Sequence, residues 1–132
     1  MVAVSNGTVI IGAPDHAATR GAAYVFAGST LALQAELTAT SPIVAGNFGS
    51  AVAIDSDRII IGEIGNSSAY AYSRFGSKWK LHGTFNDATA TRFGGSVGIS
   101  GNRVIVGAMD DGTAGMAYVL TDDTIFADDY EK

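Results

Sequence analysis

The stretch Phe48-Gly-Ser-Ala-Val-Ala-Ile-Asp-Ser-Asp-Arg-Ile-Ile-Ile-Gly62 decides the fold, because it recurs as Phe93-Gly-Gly-Ser-Val-Gly-Ile-Ser-Gly-Asn-Arg-Val-Ile-Val-Gly107. Its second part occurs a third time, as Val2-Ala-Val-Ser-Asn-Gly-Thr-Val-Ile-Ile-Gly12. The closing glycines are 50 and 45 residues apart, and a tyrosine motif follows each copy, at Tyr24, Tyr70 and Tyr118. Self-similarity at such a period is the signature of a repeat architecture.

Each copy predicts four short antiparallel strands. The first strand is followed by a two-residue turn, of which Asn6-Gly7 is a strong hairpin signal because both turn residues need positive φ. The second strand is a continuous Val/Ile run, which predicts burial on both faces. The third carries the tyrosine, and the fourth is the outer strand. The predicted strands are Val2–Val4, Thr8–Ile11 and Leu31–Thr38 in copy one, Val52–Ile54, Arg58–Ile61 and Trp79–Asn86 in copy two, and Val97–Ile99 and Arg103–Val106 in copy three, besides the tyrosine strands.

This spacing predicts an all-β fold of β-propeller blades, about three per chain. Blade 1 covers residues 1–47, blade 2 covers 48–92, and blade 3 covers 93–132. Blade 3 has a weak outer strand, since only Ile125-Phe126 precedes further acidic residues.

The composition indicates a packed fold that is not cross-linked by disulfide bonds. The chain has 17 glycines, two prolines, no cysteine and 47% hydrophobic residues, which argues against disorder and excludes disulfides. We expect the strand-ending glycines to lie where neighbouring backbones come close. We also expect the two Phe-Gly pairs to open their blades, with each phenylalanine as a plug between blades. The residues of these motifs are Gly12, Ala13, Pro14, Phe48, Gly49, Gly62, Phe93, Gly94 and Gly107.

The charge distribution bears on partners. The formal net charge is −5, and the acidic tail, residues 121–132, holds five acids against one lysine. The rest of the chain is nearly neutral, which argues against nucleic-acid binding. No apolar run approaches the ~20 residues of a membrane-spanning helix, and the first residues do not resemble a signal peptide. We expect no cofactor.

The repeat resembles the FG-GAP family, named for its Phe-Gly and Gly-Ala-Pro ends. The resemblance rests on Phe48-Gly49, on Phe93-Gly94 and on Gly12-Ala13-Pro14. It implies propeller blades like those of integrin α-subunit heads, some fungal lectins and many bacterial surface proteins, with a shared recognition scaffold rather than a shared reaction. It also implies an extracellular or cell-surface parent. The turn at Asp55–Arg58 is too short for the calcium loop of some members, because calcium needs about six to eight oxygens.

Candidate ligand residues lie in the loops between the second and third strands, which we expect to cluster on one face. They are Asp15, His16, Asn66, Asp110 and Asp111, of which the last two are also weak cation candidates. The alternative for each is an ordinary solvated loop or turn. Trp79 is either an aromatic platform for a ligand or a packing residue under the neighbouring outer strand. No catalytic motif is found, so we do not expect an enzyme; a hydrolase built from propeller loops is the alternative.

Three blades do not close a ring, since propellers typically use about 4–8. A three-blade arc leaves two apolar end faces, and two copies would give a six-bladed ring. We therefore expect a homodimer that binds a protein or glycan. The alternatives are a fragment of a larger FG-GAP repeat protein and a propeller lectin. The acidic tail is either solvated or docked on the partner copy near Arg58, Arg74 or Arg103.

Overall fold

A computed structural model of the chain describes residues 1–87, 89–111 and 114–121. Within these residues the all-β prediction is confirmed: the strands form three antiparallel sheets in chain order. Sheet 1 contains β1 (Val2–Ser5), β2 (Thr8–Ala13), β3 (Ala22–Ala27) and β4 (Ala32–Leu37). Sheet 2 contains β5 (Phe48–Asp55), β6 (Arg58–Glu63), β7 (Ser68–Phe75) and β8 (Lys78–Asn86). Sheet 3 contains β9 (Thr91–Ser100), β10 (Arg103–Asp111) and β11 (Ala114–Thr121).

The connections are short and contain little helix. One helical turn, α1 (His16–Thr19), follows β2, and a 3-10 turn (Ile64–Asn66) follows β6. Ala17 and Ala18 inside α1 have left-handed backbone angles, so this segment is a tight loop rather than a regular helix. In the described part of the chain, no helix is long and apolar enough to span a membrane.

Three predicted boundaries are wrong. The loop predicted from Ala108 to Ala114 is mostly strand, because Asp110 pairs with Thr91 of β9 and β10 continues to Asp111. Local turn chemistry suggested a loop, yet pairing with the long neighbouring strand extends the sheet. β5 and β9 also begin before their predicted starts, at Phe48 and Thr91, because a bulge in each sheet lets the Phe-Gly pair join it. The outer strand expected at residues 125–126 lies outside the described residues.

Burial of the central strands on both faces is confirmed only in sheet 2. Ile59, Ile60 and Ile61 of β6 are all fully buried. In contrast, Ile11 of β2 and Ile105 of β10 are 40% and 47% exposed. The prediction is therefore wrong for β2 and β10, and the reason is position. Sheet 2 lies between the other two sheets, whereas each of those has one covered face.

The three sheets pack by one rule, in which a face of large side chains covers a face of smaller ones. We call these the large face and the small face of each sheet. The first contact sets the small face of sheet 1 (Ala3, Ile10, Ala23, Val25) against the large face of sheet 2 (Val52, Ile54, Ile59, Ile61, Tyr70, Tyr72). The second sets the small face of sheet 2 (Ile60, Ala69, Ala71) against the large face of sheet 3 (Val97, Ile99, Val104, Val106, Tyr118, Leu120).

Each Phe-Gly pair lies at one of these contacts. Phe48 is fully buried, and its ring meets the Tyr70 ring edge-on at 5.0 Å. The next glycine, Gly49, has a φ of +91°, and a Cβ on Gly12 would clash with its carbonyl oxygen. Phe93 and Tyr118 repeat the ring contact at 5.0 Å. Glycine is thus required on both sides, for backbone angle on one sheet and for close approach on the other.

We predict that Gly62→Ala separates sheets 2 and 3, because its Cβ would overlap the carbonyl oxygen of Gly94. The free energy of unfolding should fall by about 1–3 kcal/mol, as expected for overpacking. Gly98→Ala is the matched control, since the equivalent positions of sheets 1 and 2 already carry Ala3 and Ala53. It should change stability by less than about 0.5 kcal/mol. Equal losses in urea unfolding would contradict this packing.

Candidate functional site

The longer connections gather at one edge of the sheets, which we call the loop edge. It consists of the β2–β3 loop, the β6–β7 loop and the β4–β5 connection, because strand direction alternates along each sheet. The Asn47 side chain donates to the Pro14 carbonyl at 3.2 Å, and the Asn47 N–H donates to the Thr19 carbonyl at 2.9 Å. The Gly65 N–H donates to the Gly46 carbonyl at 2.8 Å. These bonds join the three segments into one surface that bridges sheets 1 and 2.

A buried carboxylate lies just beneath this surface. Glu63 ends β6 and is fully buried. Its Oε1 accepts hydrogen bonds from the Asn66 side chain at 2.8 Å and from the Tyr70 hydroxyl at 3.0 Å. Its Oε2 has no hydrogen-bond partner in the described part of the chain. Sequence reasoning missed Glu63; the available signal was an acid at the position where the other copies carry Ala13 and Ala108.

The environment of Glu63 keeps two phenols protonated. Burial raises the pKa of Tyr70 well above its usual value, and the nearby charge and hydrogen bond of Glu63 raise it further. The pKa of Tyr72 is also raised, mainly by burial and then by Tyr70 and Glu63. Tyr70 therefore acts as a hydrogen-bond donor to Glu63 throughout the neutral range.

The predicted site residues of sheets 1 and 2 occupy the loop edge. Asp15 and His16 are exposed at the start of α1, and the His16 ring lies edge-on to the half-buried Tyr24 at 6.2 Å. Asn66 is exposed, but its side-chain amide is engaged by Glu63. The described bonds do not join Asp15 or His16 to Asn66 directly. The loop edge thus presents polar side chains on a hydrogen-bonded support.

Trp79 lies elsewhere, near the opposite edge. It is the second residue of β8, the outer strand of sheet 2, and packs against the core between sheets 1 and 2. Its Nε1 donates to the side-chain oxygen of Gln34 at 2.8 Å, and the Arg74 guanidinium lies 5.1 Å above its ring. Arg74 in turn pairs with Asp57 at 2.7 Å. This indole bridges the outer strands of neighbouring sheets.

The remaining predicted site residues are less completely described. Asp110 and Asp111 lie in β10 rather than in a loop, and their side chains are outside the described structure. Residues 122–132 of the acidic tail are also outside it. Among the described residues, no three His, Asp or Glu side chains come together in a way that could hold a metal ion.

Comparison with known families agrees with this repeat structure. Residues 86–120 match the FG-GAP repeat family, and the match includes the Phe93-Gly94 pair and Gly107. The resemblance noted from the sequence is therefore confirmed over residues 86–120, which are similar to an FG-GAP repeat. No curated protein matches the chain.

We predict that the chain loses stability in alkali as Tyr70 and Tyr72 are forced to ionise. Both have a raised pKa when folded, so their contribution is complete below pH 10.0, the ordinary tyrosine value, and is lost as the pH rises above it. Unfolding followed against pH should show this decline, and Tyr70→Phe or Tyr72→Phe should weaken it. Glu63→Gln should bring the ionisation of Tyr70, followed by phenolate absorbance, to lower pH. Ionisation of both phenols in the folded protein near pH 10.0 would contradict the assignment.

Proposed function

We propose that this chain is a non-catalytic recognition module built of β-propeller blades. In this proposal the loop edge binds a protein or glycan ligand, and two copies assemble into a six-bladed ring. The observation that supports it most directly is the tandem packing of three similar sheets, with the longer polar loops gathered at one edge. An FG-GAP repeat in the third sheet is consistent with a scaffold of this kind.

The way in which the loop edge is supported favours a role in recognition. Binding residues in repeat proteins commonly lie on loops held by a rigid scaffold. Here the exposed side chains of Asp15 and His16 project from a loop that is tied through Thr19 and Asn47 to the next sheet. In the β6–β7 loop, the hydrogen bond from the Asn66 side chain to the buried Glu63 holds the loop against the core. Such a surface keeps its shape when a ligand binds, which lowers the entropic cost of association.

The two end sheets favour assembly of two copies. Val2, Val4 and Ile11 of sheet 1 form an exposed apolar face, as do Ile105 and Val119 of sheet 3. Exposed apolar patches of this kind mark association sites. Two copies supply six sheets, which lies within the usual size of a propeller ring.

We predict a native mass of about 27 kDa for the chain in solution, twice the 13.5 kDa of one copy. Native mass spectrometry and light scattering over a range of concentrations would measure it. A stable species of 13.5 kDa at all concentrations would contradict the assembly.

We predict that ligand binding depends on the loop edge. Arrays of glycans and of peptides would be probed with the wild-type chain, and each positive probe would be tested again with the double variant Asp15→Ala/His16→Ala. We expect binding to weaken by about tenfold or more, since a lost hydrogen bond typically costs about 0.5–1.5 kcal/mol, or more for a charged group, and about 1.4 kcal/mol is a tenfold change in affinity. Ser77→Ala, in the β7–β8 turn at the opposite edge, should bind normally. Absence of any positive probe, or an equal loss in both variants, would contradict recognition by this edge.

The non-catalytic part of the proposal has its own test. The wild-type chain would be incubated with chromogenic glycoside, ester and phosphoester substrates. We expect no turnover above that of heat-unfolded protein. Turnover that Asp15→Ala/His16→Ala abolishes would favour the hydrolase alternative instead.

A further inference from the structure

A row of hydrogen bonds joins the hairpin turns at the edge opposite the loop edge. The hydroxyl oxygen of Ser5, the last residue of β1, accepts a hydrogen bond from the N–H of Ser56 at 3.0 Å. One sheet further on, Oδ2 of Asp55 accepts from the N–H of Gly101 at 2.6 Å. The two bonds are equivalent by position. In each, the last residue of a first strand binds the first turn residue of the next sheet.

The same rule identifies the two ends of this row. Ser100 is the last residue of β9, so it occupies the position of Ser5 and Asp55. Asn6 is the first turn residue of sheet 1, so it occupies the position of Ser56 and Gly101. Both residues are exposed. The Asn6 side chain donates to the Ser56 hydroxyl at 2.8 Å, but within the described part of the chain neither the Asn6 N–H nor the Ser100 hydroxyl makes the corresponding sheet-to-sheet bond. The row therefore ends in an acceptor on sheet 3 and a donor on sheet 1.

The exposed faces of the two end sheets are also complementary, because one is a large face and the other is a small face. Sheet 1 exposes its large face, where Val4 is 69% exposed although its equivalent in sheet 2, Ile54, is 9% exposed. Sheet 3 exposes its small face, where Ile105 is 47% exposed although its equivalent, Ile60, is fully buried. The full sets are Val2, Val4, Val9, Ile11, Tyr24 and Phe26 on sheet 1, and Gly98, Ile105, Ala117 and Val119 on sheet 3.

The small face of sheet 3 is also concave, so that side chains of a partner can pack into it. It contains a shallow groove of about 330 Å³, with Gly98, Ser100, Ile105 and Val119 among its lining residues. The acceptor end of the hydrogen-bonded row thus lies in the same groove as the exposed apolar side chains. One partner surface can engage both features at once.

From these observations we infer that sheet 3 of one copy receives sheet 1 of a second copy, head to tail. This arrangement rests on the two-copy assembly proposed above and specifies its interface. The large face of sheet 1 covers the small face of sheet 3, and the Ser100 hydroxyl accepts a hydrogen bond from the Asn6 N–H of the other copy. The contact repeats the two sheet-to-sheet contacts already present within the chain.

The opposite arrangement, in which like faces meet, does not fit the packing. Both internal contacts set large side chains against small ones, which keeps the space between sheets filled without overlap. Two large faces together would overlap, and two small faces would leave gaps. A head-to-tail contact made twice closes a two-copy ring, with both contacts related by the two-fold axis.

Cysteine cross-linking tests this register, because the natural chain has no cysteine. Asn6→Cys and Ser100→Cys would be prepared as separate single variants and as a double variant, then oxidised with oxidised glutathione. We expect each single variant alone to stay uncross-linked and their mixture to form a covalent dimer. The double variant should give a covalent dimer and no larger species. Ser5→Cys/Ser56→Cys is the matched control, since the equivalent pair should close within one chain.

Each other outcome has a distinct meaning. A dimeric mass with cross-links in the single variants alone would overturn the head-to-tail contact but keep the proposed assembly. A dimeric mass with no cross-link in the mixture, while the control pair closes, would also overturn it. A ladder of larger species from the double variant would support the head-to-tail contact and contradict the two-copy ring. A monomeric mass would overturn both the assembly and its interface.

A second variant tests the apolar contact between the two copies without introducing cysteine. Ile105→Asp places a charge on the small face of sheet 3 at a position that one chain alone leaves half exposed. We expect the native mass to fall from about 27 kDa to 13.5 kDa. Val44→Asp, at an exposed position on the loop edge, should leave the mass unchanged. An unchanged dimer in Ile105→Asp would overturn the assignment of this face.

Discussion

The close packing of a large face on a small face is the interaction on which the rest of this structure depends. It buries the central strand of sheet 2 on both sides and brings the backbones of neighbouring sheets into contact at Gly12 and Gly62. Phe48 and Phe93 fill the same two contacts. Every contact sets the large face of one sheet against the small face of its neighbour, so the stack of sheets has a direction. That direction gives its two ends different surfaces.

The loop edge is organised by the same contacts. The β4–β5 connection must lead from the outer strand of one sheet to the first strand of the next, so it crosses over the β2–β3 and β6–β7 loops. Its backbone and side-chain bonds to both loops make one continuous surface. Glu63 adds a buried polar anchor under that surface, and its Oε2, which has no partner among the described residues, is a local cost that a fully apolar core would avoid. Tyr70 and Asn66 reduce that cost by donating to its other oxygen.

Sequence reasoning was most accurate where local chemistry determines structure. Turn residues such as Asn6-Gly7 and the β-branched runs predicted the hairpins, and the repeat predicted three similar units. It was less accurate where neighbours in space decide. The Asp110 region looked like a loop but pairs with β9, and Ile11 looked buried but faces outward at the end of the stack. The Asn66 amide donates to Glu63, a contact that the sequence analysis did not predict.

The sequence by itself determined the strand pattern, the turn positions and the repeated Phe-Gly and tyrosine motifs, because these depend on residues close together in the chain. Only the tertiary structure decided which faces are covered, which carboxylate is buried and which turns are joined by Ser5 and Asp55. The bonds made by Ser5 and Asp55 join residues that are 51 and 46 positions apart. No local pattern encodes them, since they arise only when one folded sheet is stacked on the next.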